Sequence, residues 1–272
     1  RLSFDYSDSD VSANEADTSA LLSDGDFSVS SNTSTIGFRG RTVISQGYTV
    51  LWQYEQQVDV DDRDDGDSWT TRDSFLGLDS PLGVFLVGYV NTPFKNMGVR
   101  FMSPFNTTVA DPHAIFGASS NAGGRLDKRG ANSITWKNRL YGVDLALQYA
   151  ADQSGSVHTV DDNDRDSFSA SALWSGAGLD LGAAYINYSA APGAGEIDAY
   201  RLSAKYKVGR VRIGGLFESI DADLADALSR DAYGVQLGYT INRNWSLVTQ
   251  WNHANASNAG DDEADQYSLG VF

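Results

Sequence analysis

Side chains of one chemical kind recur at every second position along most of this chain, and that period limits the folds open to it. In Tyr48, Val50, Trp52 and Tyr54 the apolar set alternates with Thr49, Leu51, Gln53 and Glu55. The same beat returns at Val143, Leu145, Leu147 and Tyr149, at Phe168, Ala170, Ala172 and Trp174, and at Leu179, Leu181, Ala183 and Tyr185. It continues at Tyr200, Leu202, Ala204 and Tyr206, with Arg201, Ser203, Lys205 and Lys207 interleaved. Val211, Ile213, Gly215 and Phe217 follow, then Tyr233, Val235, Leu237 and Tyr239, then Trp245, Leu247, Thr249 and Trp251. A period of two throws successive side chains to opposite faces of an extended strand. Each segment therefore predicts a strand with one apolar and one polar face.

Composition narrows the alternatives. The 272 residues suit one β-rich domain spanning 1–272. No run of about 18 apolar residues occurs, so no transmembrane helix is available. A membrane strand needs only about 9–11 residues, with alternate side chains turned to lipid, so a negative mean hydropathy is compatible with a membrane barrel and with a soluble β protein. The 27 glycines, 13 tyrosines and 12 phenylalanines favour strands joined by tight turns. The 5 prolines (Pro81, Pro93, Pro104, Pro112, Pro192) fall where turns or loops are expected, since proline cannot donate to a ladder. Without cysteine there is neither a disulfide framework nor a thiol metal site. A net charge of −16 argues against a nucleic-acid partner. No signal peptide is visible, and the chain opens inside a strand-like stretch, Arg1–Phe4. A signal and a few residues are expected ahead of it.

Two features favour a membrane barrel over a soluble sandwich. Aromatic residues sit at the ends of the apolar rows (Tyr149, Trp174, Tyr185, Tyr200, Tyr206, Tyr233, Tyr239, Trp245, Trp251), where they would form girdles at the headgroup level. The connections also alternate in length. Tight ones are expected around Gly40–Gln46, Ser80–Leu82, Asn138–Leu140, Ser175–Gly178, Val208–Arg210 and Asn242–Asn244. Longer acidic ones are expected around Val11–Gly25, Val58–Asp67, Ala151–Asp166, Ala190–Glu196, Ser219–Arg230 and Ala254–Asp265. The fold expected is an all-β, antiparallel transmembrane barrel of about 14 strands, or about 16 if a pair is missed or truncated.

Several segments carry a resemblance to a known family. Thr35-Ile36-Gly37-Phe38-Arg39-Gly40, Arg72-Asp73-Ser74-Phe75-Leu76-Gly77-Leu78 and Pro81-Leu82-Gly83 occur in order, followed by Asn91-Thr92-Pro93-Phe94-Lys95. Asp127-Lys128-Arg129-Gly130-Ala131-Asn132-Ser133-Ile134-Thr135-Trp136 comes next, and the chain ends in a strand of the Tyr-x-Leu-Gly type. Together these resemble the general diffusion porins of proteobacteria, of the kind that form trimers. The chain departs from many members in having Thr35 ahead of Gly37-Phe38 where they have an arginine, and in its lower strand count. The resemblance implies a homotrimer in the Gram-negative outer membrane, in contact with the lipid bilayer and lipopolysaccharide, passing small hydrophilic solutes without a cofactor. It also implies that the long segment from Asn91 to about Gly130 is a third loop folded into the lumen. Independently, Phe94, Met97, Phe101, Met102, Phe105 and Phe116 need something to pack on. An external lid packing on itself is the alternative.

Selectivity in such a pore comes from charges at the constriction, where low-dielectric walls focus the field. Arg72 and Arg129 match positions where the resembled family places pore-wall arginines. Arg39 falls on the polar phase of its strand, and Lys95, Asp111, Arg125 and Lys128 are candidates on the loop. The run Asp59–Asp67 has carboxylates that suit calcium but lacks the closing glutamate of an EF-hand. A solvated loop, or one bridged to lipopolysaccharide by divalent cations, is the other reading. No catalytic constellation is present: His113, His158 and His253 have no zinc spacing, and no Gly-x-Ser-x-Gly elbow or phosphate loop occurs. The function expected is passive diffusion. The rivals are a substrate-specific channel for oligosaccharides or acidic sugars, a plugged structural or adhesive barrel, and a soluble carbohydrate-binding β protein.

Overall fold

The computed structural model describes residues 2–7, 26–31, 34–58, 69–106, 108, 110–117, 126–151, 166–189, 196–223, 229–255 and 263–272. Strands β1 (Leu2–Ser7) and β2 (Asp26–Ser31) pair with each other in a two-stranded sheet. The main sheet holds 14 antiparallel strands joined to their chain neighbours in sequence order. These are β3 (Thr35–Ser45), β4 (Tyr48–Val58), β5 (Trp69–Thr71), β6 (Ser74–Ser80), β7 (Gly83–Asn91), β8 (Arg129–Leu140) and β9 (Val143–Ala150). They continue as β10 (Ser167–Gly176), β11 (Leu179–Ser189), β12 (Glu196–Val208), β13 (Val211–Ala222), β14 (Arg230–Thr240), β15 (Ser246–Ala254) and β16 (Ala264–Val271). The short β5 lies in line with β6 along the same edge of β4.

The two faces of this sheet are inverted relative to a soluble protein. Phe38, Trp52, Leu76, Leu202, Val235 and Leu269 are exposed on one face. On the other, Ser133, Thr135, Gln148, Ser169, Arg201, Ser203, Glu218, Gln236 and Gln250 are buried. An apolar face of this extent has no place in water, whereas in lipid it is the favourable one. Of the nine strand-end aromatics, Tyr149, Trp174, Tyr200, Tyr206, Tyr233, Tyr239 and Trp245 lie exposed on the apolar face, as a girdle requires, while Tyr185 and Trp251 are half-buried. No helix among the described residues is long and apolar enough to cross a membrane.

The short connections sit at one end of the sheet, at Gln46-Gly47, Pro81-Leu82, Tyr141-Gly142, Ala177-Gly178, Gly209-Arg210 and Ile241–Trp245. Tyr141-Gly142 and Ala177-Gly178 have positive φ at both central positions (51° and 83°, 51° and 80°), the turn whose twist matches paired strands. Two turns lie further along than the sequence suggests. β3 runs unbroken through Gly40 to Ser45, and β8 through Asn138 to Leu140. Gly40 is not a turn residue. It lies opposite Trp52, and the indole covers the space a Cβ would need. The long acidic connections fall mostly outside the described residues, and the candidate calcium run Asp59–Asp67 falls wholly outside them.

The connection between β7 and β8, expected to be a loop, contains a helix, α1 (Pro93–Met102). Its signals are present in the chain. Thr92 caps the N-terminus, its hydroxyl accepting from Lys95 N at 3.1 Å, with Pro93 at the first helical position. Phe94, Met97 and Phe101, at i, i+3 and i+7, make one apolar stripe. That stripe is buried against Leu173, Ala184, Ile186, Ile197, Ala199 and Ile220 on the inner face of β10–β13. The loop therefore lies against the inner face and is not an external lid.

Candidate functional site

Two irregularities in neighbouring strands build the charged wall. β5 pairs with β4 one residue out of step with β6 (Gln56↔Thr71 against Gln53↔Phe75), which leaves Arg72 and Asp73 as a bulge. A second register shift lies between β7 and β8 near Gly88 and Val90, where Asn132 takes a left-handed φ of 46°. Asparagine tolerates that conformation better than other residues with a Cβ. Bulges re-aim side chains that strict alternation would fix, and these two bring Arg72, Asp73 and Arg129 together.

Arg72 Nε donates to Glu55 Oε1 at 3.0 Å, and its Nη1 donates to Gln57 Oε1 at 2.9 Å. Arg129 Nε donates to Asp73 Oδ1 at 2.6 Å, although the two residues are 56 apart in the chain. Lys95, on the first turn of α1, faces the same group. Burial and the neighbouring Arg129 and Arg72 hold its ammonium below its ordinary pKa, against the pull of Asp127 and Asp73. Arg39 stands opposite Gln53 on the adjoining strand, exposed on the inner face, and Gln53 donates to Asp73 O at 3.2 Å. Arg39, Arg72, Lys95 and Arg129 thus share one region of the inner surface. Lys128 does not join them, since its ammonium lies 5.5 Å from the centroid of the Tyr188 ring. Asp111 lies on the far stretch of the loop, bound to His113, and Arg125 is outside the described residues.

A buried cluster with no counterpart among the candidate residues nominated from the sequence fixes the loop. Arg201 on β12 is fully buried, and it donates from Nη1 and Nη2 to Asp127 Oδ1 and Oδ2 at 2.6 and 2.8 Å. Its Nε donates to Glu218 Oε2 at 2.6 Å, and its Nη1 also reaches Phe94 O at 3.1 Å. The guanidinium carbon lies 4.0 Å from the centroid of the Phe94 ring. Glu218, also fully buried, accepts from Gly117 N at 2.6 Å. His113 joins from the loop, with Nδ1 2.5 Å from Asp111 Oδ1 and Nε2 3.2 Å from Asp127 Oδ2, the second contact off ideal hydrogen-bond geometry. Burial works against a charged imidazole here, but the two carboxylates outweigh it and raise its pKa to about 9. The Arg201 guanidinium and His113 likewise overcome burial at Asp127 and hold its carboxyl well below the usual range.

Further strands hold further points of the loop. Ser169 Oγ on β10 accepts from Phe94 N, Arg230 on β14 donates to Ile115 O at 2.7 Å, and Gln250 on β15 donates to Ala110 O at 2.8 Å. Gln266 on β16 donates to Asp111 O at 3.3 Å, and Phe105 meets Phe272 edge to face at 5.2 Å. The loop is thus seated along β10–β16, while the bulged, arginine-bearing strands lie on the side where it begins and ends. Arg201 and Glu218 fall on the polar phase of their strands, which is a signal for facing inward. Their partnership with Asp127 depends on where the loop lands, which no spacing encodes.

Comparison with known proteins gives a consistent result. The Gram-negative porin family matches residues 4–272. The major outer membrane protein P.IB of Neisseria sicca is 26% identical over 219 residues, covering 71% of this chain but 59% of that protein, so the chain spans about three-fifths of that relative. Among solved structures, the anion-selective porin from Comamonas acidovorans superposes with a TM-score of 0.77 at 18% identity, covering 91% of this chain and 77% of that one. Salmonella typhi OmpF in complex with daunomycin superposes with a TM-score of 0.71 at 17% identity, covering 92% and 81%.

Proposed function

Because the chain belongs to the Gram-negative porin family, we propose that it forms a water-filled channel in the outer membrane, through which ions and small hydrophilic solutes diffuse passively. It does so as one barrel domain, with lipid and lipopolysaccharide around it and two further copies beside it in a homotrimer. The observation that carries this reading is the loop laid across the inner face. Its seat is satisfied along β10–β16, while Arg39, Arg72 and Arg129 stand opposite its first turn, which carries Lys95.

The constriction works by electrostatics, not by covalent chemistry. Arg72 and Arg129 each lie against a carboxylate, Glu55 and Asp73, which holds the guanidinium groups in place and cancels part of their charge. Arg39 and Lys95 add positive charge beside them. A cationic wall in a narrow, low-dielectric passage attracts anions and raises the barrier to cations. Asp111 lies on the far stretch of the loop, so a solute passing the constriction meets a field across the passage. Arg125 and Lys128 complete the group of loop charges proposed to act on permeating ions.

The test is single-channel conductance of detergent-purified protein in a planar bilayer under a salt gradient. Stable steps support an open diffusion pore, and replacing Arg72 and Arg129 together by Ala should move the reversal potential towards cation preference. Silence after verified insertion would instead favour a plugged structural barrel. An unchanged reversal potential in the double variant would remove the two arginines from the selectivity site.

A further inference from the structure

On the short-turn side of α1, between the helix and the inner wall of β6–β10, lies a cavity of about 640 Å³ that takes no part in the constriction described above. Its lining is unusual for a polar lumen. Val84, Met97 and Leu173 present hydrocarbon, while Arg100, Lys137 and Arg139 bring positive charge to the same space. Two carboxylates, Asp79 and Asp144, also reach it. Asp144 is 3.7 Å from Arg139, and the pair is largely exposed. Arg100 lies 3.4 Å from Asp180, and that carboxylate is shared with Lys205 at 3.9 Å. Among the described residues Lys137 forms no ion pair and neither does Asp79, and the lining carries three cations against two carboxylates. Positive charge at Arg100 and Lys137 is therefore only partly compensated, and it stands beside an apolar wall.

A cavity of this size accommodates a small organic molecule. An ion with no hydrocarbon gains nothing from Val84, Met97 and Leu173, and an organic cation meets a lining in which three cations outnumber two carboxylates. A molecule with a carboxylate on a compact aromatic or aliphatic body satisfies both halves of the lining. It sets its charge between Arg100 and Lys137 and its body against the apolar wall.

We propose that this cavity is a binding site for small amphiphilic carboxylates, with Arg100 and Lys137 as the residues that hold the acid group. The site deepens the diffusion reading only in that the lumen supplies the route to it. Occupancy is an equilibrium property and can be measured without any current.

The experiment is titration calorimetry of benzoate into the detergent-purified protein at low salt, with acetate and benzylamine as companion probes. Saturable binding of benzoate is expected, at least tenfold stronger than that of acetate, with no saturable binding of benzylamine. Lys137→Gln and Arg100→Gln are each expected to weaken benzoate about tenfold, the effect of losing one charge-assisted hydrogen bond. Arg72→Gln, at the constriction, should change its affinity by less than about twofold. Partition into detergent is the same for every variant, so equal heats in wild type, K137Q and R100Q overturn the proposal. Acetate binding as tightly as benzoate overturns it too, by removing the apolar wall from the site. Conductance steps in potassium chloride judge the pore reading separately, whatever the calorimetry gives.

Discussion

Replacing Arg201 by Met tests whether the loop is held by its charged latch or by packing alone. The methionine fills similar volume beside Phe94, so little is lost in contact. What changes is that Asp127 and Glu218, both buried, lose the cation between them. Removing one partner of a buried ion pair costs about 3–5 kcal/mol, because a charge is left uncompensated. The polar anchors at Ser169, Arg230, Gln250 and Gln266 contribute about 0.5–1.5 kcal/mol each, so the loss is comparable to those four together. A penalty of about 3 kcal/mol raises the unseated population by about two orders of magnitude. No backbone hydrogen bond of β12 is touched, so the β-sheet circular dichroism should be that of the wild type. Single-channel recordings should gain open-channel noise and substates as the loop leaves its seat. Combining Arg201→Met with Asp127→Asn and Glu218→Gln removes the orphaned charges and should restore much of the quiet current. A quiet R201M channel, or a triple variant as noisy as R201M, would refute the assignment of the latch.

Three further outcomes follow from the same geometry. His113 titrates at about 9 in the folded protein, above its ordinary 6.5, so its contribution of about 3 kcal/mol is fully present below pH 6.5 and is lost as pH rises through about 9. Current noise should accordingly increase between pH 6.5 and 9, and His113→Gln should flatten that dependence. Gly182 sits where a Cβ would collide with Met97 Sδ, so Gly182→Val should displace α1 and alter the step conductance, while Gly214→Ala, where the nearest atom is 3.8 Å away, should not. Asn132→Val puts a β-branched residue at a φ of 46°, costing about 1–2 kcal/mol, and should disturb the bulge beside Arg129. A shifted reversal potential in that variant would reveal it.

Much of this architecture is legible in the linear chain because the rules behind it are local. A period of two determines which side chains share a face, so the outward row of Tyr200, Leu202 and Tyr206 and the inward row of Arg201, Ser203 and Lys205 follow without any knowledge of the partners. The turn at Ala177-Gly178 is local in the same sense and falls within the expected connection. The chain alone points, however, to a turn at Asn138–Leu140, ahead of Tyr141-Gly142, and to a loop where α1 stands, although the signals of both are equally local. Gly40 marks where local reading fails, since only its cross-strand neighbour Trp52 explains it. The site divides along the same line. Arg39, Arg72, Lys95 and Arg129 could be nominated from the chain, but the bulges that bring Arg72 and Arg129 to one place depend on the registers of two strand pairs. The Arg201, Asp127, Glu218 and His113 cluster joins residues from the loop and two strands, up to about a hundred positions apart. Register and loop landing are set by the summed packing of many distant side chains, and only the folded sheet carries out that sum.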